Sequence, residues 1–412
     1  MYSLRVGDAA WAAIACSSKS NINTMCGDVM RLPYPSVFVD DSSRETVSLS
    51  TRTPPEALKE ALYRISLSSR LPGGLIASAL SELLHAQPES ARDHYLAVLM
   101  TGLMARGPRE DEVVELLEAA LTLDPVTPVS ANQDGHDRLV VLAGSGKKGL
   151  KTFNISTCSA IIAAAAGARI VKVGSYATSS VLGSRDFATR IGLPQQTDGR
   201  AVLDAVARHG FSFAPVEEMI PALDRVYGGR FHVLTPFSFG LAALASPVRG
   251  DVLIFGLAHP RVDLAAAVLA RFGIRDALIV SSGTESGRFA DELGVGDWSL
   301  VCELRDGTVG EVRRHSADAL PGASSGRAEP VRAPRSSDEA FNWALEALGG
   351  RGTTRHIDIL ALNAGFLLNT ARIVSDIAEG YDLALNLITS GRAVDLLREL
   401  CAGPSEHPWA WN

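Results

Sequence analysis

The sequence has few cysteines, no excess of basic residues and no long apolar run. Its five cysteines are scattered over 412 residues without the paired spacing of zinc ligands, which argues against a metal cluster and a disulfide framework. The formal net charge of -7 gives no general attraction to nucleic acid or anionic lipid. Polar residues interrupt the longest apolar run, residues 155–171, before it could span a membrane. Since the N-terminus also lacks a signal-peptide pattern, we expect a cytoplasmic protein that binds neither membranes nor nucleic acid.

Length and composition indicate a globular α/β protein with more than one domain. Hydrophobic residues make up 46% of the chain and charged residues 21%, which excludes bulk disorder. A chain of 412 residues is also longer than one small core requires. We expect an N-terminal extension of unknown role (residues 1–53), a helical domain (54–130) and an α/β domain (131–412).

The spacing of apolar residues changes along the chain. Intervals of three and four between residues 54 and 123 predict helices, and the same spacing returns between residues 338 and 400. From residue 138, short β-branched runs alternate with amphipathic segments, which predicts a mainly parallel sheet with crossover helices. An Asp-Gly pair at 306–307 predicts an antiparallel hairpin. The predicted strands are residues 36–39, 139–143, 170–173, 211–214, 252–256, 277–281 and 299–304.

A glycine-rich turn follows the strand at 139–143 and leads into a helix. Gly144 and Gly146 let backbone N–H groups approach an anion, and a helix N-terminus adds partial positive charge at the same place. Lys147, Lys148 and Lys151 favour a polyanionic ligand, although such turns also serve only to close a tight connection, and such lysines can form a solvated basic loop. The spacing matches neither a Walker loop nor a dinucleotide fingerprint. The turn therefore predicts a phosphate or pyrophosphate site of another kind.

A second loop rich in glycine and hydroxyl side chains follows the next strand, at residues 174–186. The carboxyl ends of parallel strands meet at one edge of a sheet, where ligands bind. We therefore expect the two loops to form one pocket.

These segments resemble the anthranilate phosphoribosyltransferases. The resemblance is carried by the Phe-Asn-Ile-Ser-Thr run at 153–157, Lys172, the Ser-Ser pair at 179–180, the Gly-Ser-x-Asp run at 183–186 and the Phe-Ser-Phe-Ala-Pro run at 211–215. It extends over residues 54 to 402. It implies a small helical domain on an α/β domain, a homodimer, phosphoribosyl pyrophosphate as donor and Mg²⁺ as cofactor.

The resemblance and the two loops together assign the donor and the metal. For the metal, the resemblance implies Ser156 with the adjacent carboxylates Asp291 and Glu292, and Glu285 is a competing candidate. Adjacent carboxylates suit a hard cation bridged to pyrophosphate. The expected donor-binding residues are Gly144, Ser145, Gly146, Lys147, Lys148, Thr152, Asn154, Ser156, Thr157, Lys172, Ser179, Ser180 and Ser184.

The chain departs from the family pattern where donor and acceptor meet. Lys147 and Lys148 replace the Gly-Asp end of the family's turn, and we expect these lysines to neutralise part of the pyrophosphate charge. Ser175 and Tyr176 replace the Asn-Arg pair of the family's Lys-His-Gly-Asn-Arg run and are the expected acceptor residues. Arg225 is the candidate partner of an acceptor carboxylate, although a surface or structural role is equally compatible.

These observations predict a divergent phosphoribosyltransferase with an aromatic or heteroaromatic acceptor other than anthranilate, in specialised metabolism. Such an enzyme needs no dedicated nucleophile, because positioning and electrostatics suffice when pyrophosphate departs. Two alternatives remain at this stage: a nucleoside phosphorylase, and a catalytically silent relative that binds a phosphorylated ligand or nucleic acid.

Overall fold

The computed structural model describes residues 54–84, 89–130, 138–322 and 331–401. The predicted strand at 36–39 and the whole N-terminal extension lie outside the described residues. No helix within these ranges is long and apolar enough to cross a membrane.

Four helices form the N-terminal part of the described chain. In the first, Leu58, Ala61 and Ile65 recur at intervals of three and four and are buried, which is why this segment folds as an amphipathic helix. Between the third and the fourth, the ion pair of Arg106 and Glu112 is buried. The four helices are α1 (Glu56–Ser66), α2 (Leu75–Leu84), α3 (Glu89–Arg106) and α4 (Glu110–Leu121).

An eight-stranded, mainly parallel sheet forms the centre of the molecule. Its strand order is β10-β9-β7-β6-β2-β3-β4, with the short β8 paired to β7, and β1 pairs with β5 in a separate ribbon. The strands are β1 (Val129–Ser130), β2 (Leu139–Gly144), β3 (Arg169–Gly174), β4 (Phe211–Pro215), β5 (Val248–Arg249), β6 (Val252–Gly256), β7 (Ala277–Gly283), β8 (Phe289–Ala290), β9 (Trp298–Arg305) and β10 (Thr308–Ser316).

These strands form where the sequence supplies apolar side chains for both faces of the sheet. In β2, Val140 and Leu142 join the core on one face of the sheet, and Leu139 and Val141 join the core on the other. A strand covered on both faces is apolar along its whole length, as expected of a parallel sheet. At the sheet edge, Asp306 and Gly307 both have positive φ angles, which gives the turn of the predicted β9–β10 hairpin.

Helices cover both faces of this sheet. The side with α5 carries the C-terminal helices, whereas the N-terminal helices share a hydrophobic cluster with the other face. The remaining helices are α5 (Ile155–Ala165), α6 (Ser184–Arg190), α7 (Gly199–His209), α8 (Val216–Met219), α9 (Pro221–Tyr227), α10 (Leu241–Leu244), α11 (Val262–Arg271), α12 (Ser337–Leu348), α13 (Thr354–Thr370), α14 (Ile377–Thr389) and α15 (Arg392–Leu400). The predicted fold class is therefore confirmed: helices at the N-terminus, a mainly parallel sheet and helices at the C-terminus.

Candidate active site

A cavity of about 420 Å³ opens at the carboxyl ends of β2, β3 and β4. The two loops predicted from the sequence lie side by side here, because β2 and β3 are neighbours in the sheet. The segment after β8 reaches the same edge, since its residues Asp291 and Glu292 also line the cavity. The opposite end is bounded by residues of α8 and α9 and by the segment that follows them.

The glycine turn is fixed against the end of β6 and the segment after β8. The Ser145 N–H donates to the Gly256 carbonyl at 2.8 Å, and the Gly146 N–H donates to Asp291 Oδ2 at 3.2 Å. A Cβ atom on Gly144 would lie 2.9 Å from Asp291 Oδ2, so a larger residue there would displace the Asp291 carboxylate. The first N–H groups of the turn therefore donate within the protein, which differs from the cradle of free N–H groups that the sequence predicts.

Lys148 bridges the two acidic side chains. Its Nζ lies 2.9 Å from Asp291 Oδ1, contacts Glu292 Oε1 and donates to Thr152 Oγ1 at 3.2 Å. Burial opposes a charged lysine here, but the attraction of both carboxylates raises the pKa of Lys148 above its usual value. Burial likewise disfavours the charge on Asp291, yet Lys148 holds the pKa of that carboxyl below its usual value. The predicted metal pair is thus occupied by an ammonium group.

Lys172 adds a second buried cation next to this pair. Its Nζ donates to the Val173 carbonyl at 2.7 Å. Burial lowers the pKa of Lys172 to about 8, and the nearby carboxylates partly oppose that shift. Burial and the charge of Asp291 raise the pKa of Glu292. Two acids and two lysines therefore form one compact cluster.

Asn363 of α13 holds the acidic segment in place. Its Oδ1 accepts from the Leu293 N–H, and its Nδ2 donates to the Leu293 carbonyl, both at 3.1 Å. On the other side, Ser282 Oγ donates to the Glu292 carbonyl at 2.6 Å. The backbone that carries the carboxylates is thus fixed by hydrogen bonds from two elements.

The second loop is closed by its own hydrogen bonds. Asp186 Oδ2 accepts from the N–H groups of Ala177 and Gly183, each at 2.8 Å. Ser184 Oγ accepts from the Ser175 N–H at 3.2 Å, which brings the start of α6 against the end of β3. Asn154 Nδ2 donates to the Gly183 carbonyl at 3.2 Å and so joins this loop to the start of α5.

Lys147 points away from the carboxylates, into a cluster of aromatic rings. Its Nζ donates to the Tyr227 hydroxyl and lies 4.5 Å from the centre of that ring and 5.8 Å from the centre of the Phe231 ring. The Tyr227 hydroxyl also lies 2.6 Å from Thr235 Oγ1. Burial lowers the pKa of Lys147 to about 7. Lys147 and Lys148 therefore lie at opposite ends of the cavity.

Acidic residues also line the end of the cavity opposite the glycine turn. Glu217 Oε1 accepts from the Tyr176 N–H at 2.7 Å, and Glu217 Oε2 lies 3.3 Å from Arg185, whose guanidinium covers the Tyr176 ring. Burial raises the pKa of both Glu217 and Asp224. Arg225, in contrast, is outside the cavity lining, so the structure separates it from the predicted acceptor end.

Most of the predicted residues come together. Thr157, which is fully buried in α5, and Ser179 are donor candidates outside the lining, and Glu285 is an exposed residue paired with Arg314. Lys147 and Lys148, which are expected to neutralise part of the pyrophosphate charge, both line the cavity, and each also has a partner within the protein. The predicted residues that line the cavity are Gly144, Ser145, Gly146, Lys147, Lys148, Thr152, Asn154, Ser156, Lys172, Ser175, Tyr176, Ser180, Ser184, Asp291 and Glu292.

Sequence reasoning missed the residues that come after β4. Glu217, Asp224, Tyr227 and Phe231 line the cavity, yet they lie in short helices and loops without a recognisable motif. Their one sequence signal is position, since they directly follow a strand whose carboxyl end was expected at the binding edge.

Comparisons with known proteins agree with this geometry. Residues 136–394 match the family model for the glycosyl transferase family, a/b domain. The anthranilate phosphoribosyltransferase of Stenotrophomonas maltophilia (strain K279a) is 32% identical over 312 residues, which cover 74% of this chain and 85% of the relative. The anthranilate phosphoribosyltransferase of Ralstonia pickettii (strain 12J) is 34% identical over 327 residues, which cover 77% of this chain and 91% of the relative.

Solved structures share the fold. The crystal structure of anthranilate phosphoribosyltransferase from Thermus thermophilus matches with a TM-score of 0.63 and 25% identity, covering 84% of this chain and 99% of the other. The Saccharomyces cerevisiae enzyme in complex with phosphoribosyl pyrophosphate and magnesium matches with a TM-score of 0.63 and 18% identity. The match covers 84% of this chain and 97% of the yeast chain.

Proposed function

This chain belongs to the glycosyl transferase family whose a/b domain it matches, as a divergent relative of the anthranilate phosphoribosyltransferases, and we propose what it transfers. It transfers a 5-phosphoribosyl group from phosphoribosyl pyrophosphate to an aromatic or heteroaromatic acceptor other than anthranilate, and releases pyrophosphate. A homodimer, a cytoplasmic location and a role in specialised metabolism are parts of the same proposal.

The observation that carries the proposal is a single cavity with two chemically different ends. At one end lie the glycine turn, the start of α5 with Asn154 and Ser156, and the hydroxyl loop with Ser180 and Ser184. These groups are hydrogen-bonding partners for phosphate and ribose oxygens. At the other end lie aromatic rings, and a cavity of about 420 Å³ has room for a ligand that reaches both.

The acceptor end supports an aromatic ring. Tyr227 stacks on Phe231 with 5.2 Å between ring centres, and Phe237 meets Tyr227 edge-on at 4.9 Å. Lys147 also lies at this end, where Glu217 and Asp224 line the cavity. A benzoate-type acceptor would meet these two acids, of which Glu217 is paired with Arg185, whereas an acceptor with hydrogen-bond donors suits the carboxylates.

The chemistry follows from this arrangement. The bond between the anomeric carbon and pyrophosphate breaks, and the acceptor forms a bond to that carbon from the other end of the cavity. If the nucleophile is a nitrogen, it sheds a proton, for which Glu217 and Asp224 provide acceptors. Ser156, which lines the cavity in the first turn of α5, would lie beside the magnesium that is bound with the donor. When bound, Mg²⁺ neutralises charge on the pyrophosphate.

Donor binding can be tested with a matched pair of serine variants. Calorimetric titration of the full chain with phosphoribosyl pyrophosphate and MgCl₂ should give one site per protomer. Ser184→Ala should weaken that affinity about tenfold or more, because it removes a hydroxyl of the donor loop. Ser179→Ala should match the wild type, since Ser179 lies outside the cavity lining. Absence of donor binding by the wild type would refute the proposal.

The acceptor can be tested by pyrophosphate release. The enzyme is supplied with donor, magnesium and a panel of anilines, phenols and nitrogen heterocycles that includes anthranilate. We expect a heteroaromatic acceptor to give the highest kcat/KM. Anthranilate as the best substrate would contradict the acceptor part of the proposal, and phosphate-dependent nucleoside cleavage would identify a phosphorylase instead.

A further inference from the structure

The Lys148 ammonium group contacts both Asp291 and Glu292, the carboxylate pair that the sequence predicts to hold a divalent cation. We infer that this lysine is a built-in counter-ion that replaces a metal at the carboxylate pair, so the donor-free protein has no divalent-cation site there. The inference deepens the proposed function, because it concerns how the same donor end balances its charge.

The geometry of the pair supports an ammonium group. Lys148 Nζ lies 2.9 Å from Asp291 Oδ1, also contacts Glu292 Oε1, and reaches Thr152 Oγ1 at 3.2 Å. Thr152 Oγ1 and Glu292 Oε1 accept hydrogen bonds from the ammonium group, and Asp291 Oδ1 lies at ion-pair distance from it. Asp291 Oδ1 and Glu292 Oε2 accept no hydrogen bond from the described residues, so the lysine balances the charge of the pair without saturating its oxygens.

Charge balance points the same way. The side chains of Lys148, Asp291 and Glu292 are 15%, 8% and 4% exposed, and Lys172 is buried beside them. Even when both carboxylates are ionised, the two ammonium groups balance them, and the raised pKa of Glu292 reduces the negative charge further, so the cluster offers no net negative charge to a dication. Because the cluster is largely removed from water, an additional charge of +2 would be poorly compensated.

Space is also limiting on the far side of the pair. A second cavity, of about 30 Å³, is lined by Ser156, Asp291, Glu292 and Asn363 together with apolar side chains. That volume holds about one water molecule. Mg²⁺ requires near-octahedral coordination and keeps several of its waters, so a hydrated ion does not fit in this second cavity. The other side of the pair faces the main cavity, and Lys148 lies there.

The backbone holds the lysine in place. Lys147 has a φ angle of 55°, in the left-handed region, which turns the chain so that Lys148 faces the carboxylates. The N–H groups of Gly149 and Leu150 both donate to the Phe289 carbonyl at 2.9 Å, which ties the turn to the segment just before the acids. The ammonium group and its carboxylate partners thus lie on two backbone segments that are hydrogen-bonded to each other.

Direct Mn²⁺ binding to the donor-free full chain tests the inference. Electron paramagnetic resonance measures the concentration of free Mn²⁺ in titrations of the wild type, of Lys148→Met and of the control Lys151→Met. In the control position, the lysine donates to the Ser179 carbonyl instead of a carboxylate. We expect no site in wild type or in the control with a Kd tighter than about 1 mM, and one site at least tenfold tighter in Lys148→Met. Adding Asp291→Asn and Glu292→Gln to that variant should abolish the new site.

Two outcomes would overturn the inference. One is a Mn²⁺ site in the wild type that Asp291→Asn with Glu292→Gln removes, which can be measured even if Lys148→Met does not fold. The other is a folded Lys148→Met variant, verified by circular dichroism, that gains no site. Neither measurement involves the donor, so the calorimetric titration with phosphoribosyl pyrophosphate tests the proposed function independently.

Discussion

The stability of Lys148→Met gives a second and quantitative test of the buried charge cluster. Without the ammonium group, the carboxylates of Asp291 and Glu292, with side chains only 8% and 4% exposed, keep Lys172 as their nearby cation. Removing one partner of a buried ion pair costs about 3–5 kcal/mol, because the remaining charge stays out of water, here with Lys172 alone to compensate it. We expect the free energy of unfolding to fall by that amount and the Tm to fall by about 4–6 °C.

Magnesium should restore part of this loss. A cation that binds only the folded variant stabilises it by about 2.7 kcal/mol when its concentration is roughly one hundred times its Kd. Thermal unfolding followed by fluorescence, without and with millimolar MgCl₂, should therefore show a larger rise in Tm for Lys148→Met than for the wild type.

The control variant separates this effect from the loss of any lysine in the turn. Lys151→Met removes a hydrogen bond to the Ser179 carbonyl and should cost no more than about 1–2 kcal/mol, without magnesium rescue. The reasoning is refuted if Lys148→Met unfolds at the wild-type temperature, or if magnesium stabilises both proteins equally. Higher turnover in Lys148→Asp would also contradict a useful role for the positive charge.

Other variants probe the rest of the cavity. Because burial lowers the pKa of Lys147 from 10.5 to about 7, the unfolded chain holds a proton that the folded chain has lost, so stability should rise with pH through that window. Lys147→Met should reduce this rise in urea midpoints, most clearly between about pH 7 and 8, because the pKa of Lys172, lowered to about 8, produces a further rise at higher pH. The same variant should increase the acceptor KM about tenfold or more. Arg225→Ala, outside the cavity lining, should leave that KM unchanged. Gly256→Ala should abolish donor binding, because its Cβ would collide with the Asp291 carbonyl, whereas Gly273→Ala, with φ of 75° and open space, should cost only about 1–2 kcal/mol.

The sequence predicted the long elements well because their burial is periodic. The strand predicted at 139–143 is Leu139–Gly144, and the helical spacing predicted between residues 338 and 400 corresponds to α12 to α15. Short elements were missed, among them α8 (Val216–Met219) and β8 (Phe289–Ala290), because too few residues are present for a period to appear.

Most of the donor end could also be predicted, since its residues lie in two continuous motifs at adjacent strand ends. The partners of the two lysines could not be predicted. Lys148 meets Glu292 across 144 positions, and Lys147 meets Tyr227 across 80. Such pairs depend on the packing of the loops around the sheet, which composition and spacing do not determine.

The pair of hydrogen bonds between Asn363 and the Leu293 backbone has a genetic consequence. Residues that line the main cavity run from Gly144 to Glu292, yet the clamp on the acidic segment comes from α13, 70 positions beyond Leu293. A premature stop codon just before α13 would leave every lining residue in the translated product and still remove the clamp. Late truncations of this gene should therefore behave as null alleles, although the lost segment carries no residue that lines the main cavity.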